Sequence, residues 1–123
     1  MSWEVELHAD VAAWFEGLWS TDPRTADRIE EAIDLLVEDG PALGRPFVDR
    51  VKGSCYHHMK ELRPASAGST EVRVLFAFDP LRRAILLVAG DKSRAWKAWY
   101  EVNIPIAEQR YAEHVATLYG EQR

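Results

Sequence analysis

Cysteine is almost missing from this chain. Among 123 residues Cys55 stands alone, so no internal disulfide can form, and a reducing compartment such as the cytoplasm is expected. Glycine and proline are sparse, at seven and six residues, which excludes collagen-like and low-complexity chains. The longest apolar run, Ala84-Ile-Leu-Leu-Val-Ala89, falls far short of the roughly 20 residues that a membrane span needs. The first ten residues carry Glu4, Glu6 and Asp10 but no lysine or arginine, which argues against a secretory leader. Gly40, Gly44 and Gly53 have the wrong spacing for a phosphate loop. His57-His58 has neither a cysteine partner nor a second histidine one helical turn away. Neither a metal nor a cofactor is therefore expected.

What is present suits one folded domain over residues 1–123. Apolar residues make up 47% and charged residues 28%, enough for a core without a covalent staple. The formal net charge of −5 disguises an uneven distribution. Residues 1–44 hold eleven acids and two bases, residues 45–97 hold eleven bases and five acids, and residues 98–123 hold four acids and two bases. A basic middle between acidic ends points to a local anionic partner.

The hydropathy pattern orders the elements. Trp3-Glu-Val-Glu-Leu7 alternates as a half-buried strand does. Asp10 offers a helix cap, followed by Val11, Trp14, Phe15 and Leu18 on one face. Asp22-Pro23 is a second start signal, Ala26, Ile29, Ile33, Leu36 and Val37 follow at helical spacing, and Gly40-Pro41 stops the helix. Gly40 to Gly53 reads as a connection. The period then falls to 2: a strand over Tyr56–Arg63, a clearer one over Val72–Phe78, a turn at Asp79-Pro80, and an apolar strand over Arg83–Ala89. Trp96, Trp99 and Tyr100 form a helical stripe, and Pro105 opens a last helix with Ala107, Tyr111, Val115 and Leu118. The class is α+β, with two N-terminal helices packed on a mostly antiparallel sheet and C-terminal helices after it.

Several stretches carry a family likeness: Arg50-Val-Lys-Gly53, Met59-Lys-Glu-Leu-Arg63, Val72-Arg-Val-Leu-Phe-Ala-Phe-Asp-Pro80, Ala84-Ile-Leu-Leu-Val-Ala-Gly-Asp-Lys92 and Trp96-Lys-Ala-Trp-Tyr100. With the element order, they resemble the RelE/ParE superfamily of bacterial toxins, most of all its HigB-type branch. The resemblance implies a RelE-like fold and a cytoplasmic, metal-independent endoribonuclease that cuts messenger RNA on the ribosome. It also implies a cognate helix-turn-helix antitoxin of the HigA kind. The basic residues matching the family's catalytic surface are Arg63, Arg73 and Lys92; Lys60 lies beside the first, one position out of step. For a tyrosine found near the end of some members, Tyr100 is the nearest counterpart, but the Trp96/Trp99/Tyr100 stripe assigns it to packing.

The chemistry asks for the same residue types. Cleavage through the RNA's own 2′-hydroxyl needs a base, an acid and cations around the phosphate. Arg63 and Arg73 suit a bidentate grip on phosphate oxygens, and Lys92 follows a buried strand whose end can project it into a cleft. His57 and His58 are the acid/base candidates by residue type, but on a strand they point to opposite faces. Glu61 is another possible base. Arg82 and Arg83 flank a turn and read as solvated, Cys55 as a small packing residue, and the five tryptophans as core or antitoxin contacts. The alternative function is that of a ParE-like protein, a non-enzymatic inhibitor of DNA gyrase on the same fold. A decayed member that only binds an antitoxin is a third reading.

Overall fold

The computed structural model describes residues 2–121. Asp22-Pro23 separates α1, Ala9–Thr21, from α2, Pro23–Asp39. Pro23 occupies a position where a helix has no use for the backbone N–H, and the Asp22 carboxylate accepts from the Thr25 N–H at 3.2 Å. Gly40 closes α2 with φ of 55°, a left-handed conformation that favours glycine. The Trp3 indole presses against it and leaves no room for a β-carbon. α1 starts before the expected cap: the N-cap is His8, whose Nδ1 accepts from the Asp10 N–H at 3.1 Å.

The sheet has five strands in the order β1-β5-β4-β3-β2. They are β1 Val5–Leu7, β2 Val48–Arg50, β3 Lys60–Leu62, β4 Val72–Phe78 and β5 Ala84–Asp91. β1 runs parallel to β5, and the other pairings are antiparallel. The α+β, RelE-like architecture expected from the sequence is thus the one observed. Two differences matter. β2 lies inside the stretch read as a connection, and the strand expected over Tyr56–Arg63 shrinks to Lys60–Leu62. Residues 51–59 instead form a loop, closed by the Val51 N–H donating to the Met59 carbonyl at 3.1 Å.

Each face of the sheet has its own core. Val11, Ile29, Ala32 and Leu36 of α1 and α2 cover Val72, Val74, Phe76, Ala84 and Leu86. On the other face Ala107 and Tyr111 cover Met59, Leu75, Ala77, Ile85, Leu87 and Val88. They belong to α3, Trp96–Glu121, one helix where two were expected. Pro105 removes one backbone hydrogen bond in its interior, yet Trp99, Tyr100 and Ile104 before it and Ala107 and Tyr111 after it pack on the same core. That shared burial holds the two halves as one helix. No helix of the described residues is long and apolar enough to cross a membrane.

A bulge in β5 sets which residues face α3. Phe76 pairs with Leu86 and Leu75 with Val88, so Leu87 is an extra residue. A bulge shifts the alternation of every later side chain. Without it, Gly90 and Lys92 would share the face of Ala84 and Leu86. With it, Gly90 meets the Trp99 indole of α3. The Leu87 carbonyl accepts from the Arg110 guanidinium at 2.8 Å, and the same guanidinium donates to Asp10 of α1 at 2.6 Å.

Candidate active site

A cleft of about 910 Å³ opens between β2, the 51–59 loop and the start of α3. Arg45, Arg50, Lys52, Arg63 and Lys92 line it, against the two carboxylates Asp49 and Glu61. His57 reaches it from the loop, and Trp96 and Tyr100 from α3. The lining is therefore cationic although the whole chain is acidic. All five of these bases come from the segment whose charge stood out in the sequence.

Glu61 is the best-buried charged group here, with 3% of its surface exposed. It faces the cleft because its β3 position pairs with Leu75, on the α3 side of the sheet. Arg63, two residues on and so on the same face, donates to Glu61 Oε1 through Nε at 2.8 Å and approaches it through Nη2 at 2.6 Å. The Tyr100 hydroxyl donates to Glu61 Oε2 at 2.6 Å. Both carboxylate oxygens are thereby engaged, as a buried charge requires. Burial, and then Glu61, push the Tyr100 phenol up to about 12, against the opposing pull of Arg73. The phenol therefore keeps its proton at neutral pH and acts as a donor.

The other charges are shared out. Asp49 bridges Arg45 at 3.1 Å and Arg63 at 3.3 Å. The Arg50 backbone N–H, followed by Arg45 and Arg63, holds its carboxyl below the usual carboxylate range, against some burial. Lys92 Nζ lies 3.6 Å from Glu71 and above the rings of Trp96 and Tyr100, at 5.9 and 5.6 Å from their centroids. Arg50 and Lys52 have no ion-pair partner among the described residues. Those two cations are the ones most free to take an anionic ligand.

The cleft brings Arg63, Lys92 and His57 together. Arg73 lies beside the Tyr100 phenol rather than on the lining. Its Nη1 donates back to the Val72 carbonyl at 2.8 Å, and its buried Nε has no partner among the described residues. Lys60 does not line the cleft. Its neighbour Glu61 faces the cleft, so Lys60 points to the α1/α2 side, where its ammonium lies 5.6 Å from the Phe78 ring centre. His57 and His58 are on the loop, not a strand, and His58 packs against Tyr111 at 5.2 Å. Tyr100 is more than packing, because its hydroxyl reaches Glu61. Sequence reasoning missed Arg45, Asp49, Arg50 and Lys52 as site residues. Two signals were available: their net positive charge in a segment read as a connection and, for Arg50 and Lys52, the family likeness of Arg50-Val-Lys-Gly53.

Other expectations change as well. Trp96 and Trp19 are 62% and 40% exposed, so these two are not core and fall to the other half of the expectation, contacts with a partner. Cys55 is exposed on the loop rather than packed inside. Arg83 is not free in solvent, since it pairs with the buried Asp79 at 3.0 Å. Among the described residues, no three His, Cys, Asp or Glu side chains gather closely enough to hold a metal ion.

A mostly antiparallel sheet between helical layers, with a basic cleft beside the last helix, is the architecture of the RelE-like fold. The description "Phage derived protein Gp49-like (DUF891)" matches residues 16–112. Over 116 residues, 94% of the chain, 51% are identical to the protein named "Putative toxin HigB3" from Mycobacterium tuberculosis (strain ATCC 25618 / H37Rv), covering 96% of that protein. The same share of the chain is 47% identical to "Putative toxin HigB2" of that strain, but covers only 56% of it. The chain thus spans nearly all of one relative and about half the length of the other. It belongs to the Gp49-like family, in the HigB-type branch of the RelE/ParE toxins.

Proposed function

We propose that the protein is the toxin of a type II toxin–antitoxin module, working in the cytoplasm as a ribosome-dependent endoribonuclease on messenger RNA. The observation that carries this reading is the cationic cleft with a buried Glu61–Tyr100 pair at its base. In the reaction the RNA 2′-oxygen attacks the adjacent phosphorus and the P–O5′ bond breaks. The products are a 2′,3′-cyclic phosphate and a 5′-hydroxyl end, and no metal is needed to generate the nucleophile. Arg50, Lys52, Lys92 and Arg63 hold the phosphate and offset the charge that builds on it. His57 and the Glu61–Tyr100 pair flank it as the two proton-transfer groups, one receiving the 2′ proton and the other supplying the 5′-oxygen. Arg73 lies beside the Tyr100 phenol and keeps it from rising further.

A chain of net charge −5 grips naked RNA poorly. A ribosome that already holds the message solves this by supplying position, leaving the toxin to supply a local cluster. The proposed partners are the ribosome with its mRNA and a neutralising helix-turn-helix antitoxin of the HigA kind. Induction without antitoxin, in cells assayed for mRNA ends and for DNA damage, tests the reading. Growth arrest with new mRNA ends supports it. Double-strand breaks and an SOS response with intact mRNA would replace it with gyrase inhibition, and full growth would leave only a binding protein.

A further inference from the structure

The 51–59 loop supplies Lys52 and His57 to the cleft, yet little of its backbone is tied to the sheet. Beyond the closing bond from Val51 to Met59, its middle is held by α3. Glu108 Oε2 accepts from the Ser54 hydroxyl at 2.9 Å and from the Cys55 N–H at 2.6 Å. Ser54 Oγ in turn accepts from the Tyr56 N–H at 3.1 Å. One turn further along α3, Tyr111 packs edge-on against Tyr56 and His58, at 5.1 and 5.2 Å between ring centres. Residues three apart share a helix face, so Glu108 and Tyr111 form one two-point anchor. Tyr111 fixes the apolar base of the loop. Glu108 fixes its turn, where charge-assisted bonds are strong and directional.

We infer that Glu108 is a positioning residue of the active site. Its carboxylate latches the 51–59 loop to α3 and so sets where Lys52 and His57 meet the RNA phosphate. This rests on the RNA-cleavage reading for its catalytic half, while the latch itself is a property of the free protein. The consequence is geometric, because a misplacement of about 1 Å in a reacting group costs up to about a hundredfold in rate. Glu108 touches neither substrate nor reacting atoms. Its loss acts through the loop and lowers kcat more than it raises KM.

The test compares Glu108→Ala, Glu108→Gln and Ser54→Ala with wild type. Amide exchange across 51–59 is read by mass spectrometry on free protein, and mRNA cleavage is read in a translation reaction. Glu108→Ala is expected to speed exchange of the loop and lower kcat about tenfold or more. Glu108→Gln keeps an acceptor oxygen for the same donors and is expected to restore most of both. Ser54→Ala falls between them. Loop exchange unchanged in Glu108→Ala would overturn the latch. Faster exchange with wild-type cleavage would overturn the positioning role and leave the nuclease reading intact. A wild-type protein that cuts nothing would remove the nuclease reading and the catalytic half together, while exchange in Glu108→Ala still decides the latch.

Discussion

Arg63→Ala separates the two roles that Arg63 plays. In the folded protein it neutralises Glu61 through contacts of 2.6 and 2.8 Å, and it also faces the cleft. Removing one partner from a fully buried ion pair costs about 3–5 kcal/mol, because the other charge stays behind without compensation. Here the full figure is too large. The Arg63 side chain is 34% exposed while that of Glu61 is 4% exposed, so water screens one end, and Tyr100 still donates to Glu61. A loss of about 2 kcal/mol is the reasoned value. For a domain of this size that lowers Tm by roughly 6–8 °C. Urea unfolding at neutral pH measures it, with Glu61→Gln/Arg63→Ala as the partner variant. The double variant buries no unpaired charge and should recover about half of the loss. A cost below about 0.5 kcal/mol, as for an exposed surface pair, would refute the reasoning, as would a double variant less stable than the single one.

Three further outcomes follow from the geometry. The Tyr100 phenol is raised from 10.0 to about 12, so the folded state holds that proton more tightly than the unfolded one. Its contribution is complete below pH 10 and lost as pH rises towards 12; tyrosinate absorbance and stability should both show a step in that window that Tyr100→Phe lacks. Burial pushes Asp79 up, but the hydrogen bonds from His114 and Arg83 outweigh it and hold the carboxyl below its usual range. That stability is present above about pH 4 and lost as pH falls further, so acid unfolding of Asp79→Asn should depend less steeply on pH there. A β-carbon on Gly90 would come within 2.6 Å of Trp99 Nε1. Gly90→Ala should cost about 1–3 kcal/mol and displace the first turn of α3, lowering cleavage; wild-type stability would show that Trp99 yields freely.

Much of the architecture is written locally in the chain. α2 was readable at both ends because Asp22-Pro23 and Gly40-Pro41 are strong start and stop signals. β4 was readable because Val72 to Phe78 alternate over seven residues. β2 was not, since three residues give alternation too little length to register. The Tyr56–Met59 stretch mimics a strand in composition, but its aromatic residues pack on Tyr111 instead of joining a ladder. Pro105 reads as a break because the packing that overrides it lies far away in sequence.

The site was legible only in part, for a related reason. An apolar run buried on both faces conceals a bulge, so counting by twos from Ala84 places Lys92 on the wrong side of the sheet. The family likeness, not the period, pointed to Lys92. Conversely, the period on β3 does separate Glu61 from Lys60, and weighing it would have set Lys60 on the face away from the cleft. The Glu61–Tyr100 contact joins residues 39 positions apart and leaves no local trace.

The cleft's function is tested most directly by purified protein in a translation reaction, with mRNA ends mapped and their chemistry read. Arg73→Ala, Lys92→Ala and ribosome-free RNA serve as controls. The account predicts new ends with 5′-hydroxyls that need translating ribosomes and are lost with Lys92→Ala and Arg73→Ala. Intact mRNA with wild-type protein that still arrests growth, or cleavage undiminished in folded Lys92→Ala and Arg73→Ala, would contradict it.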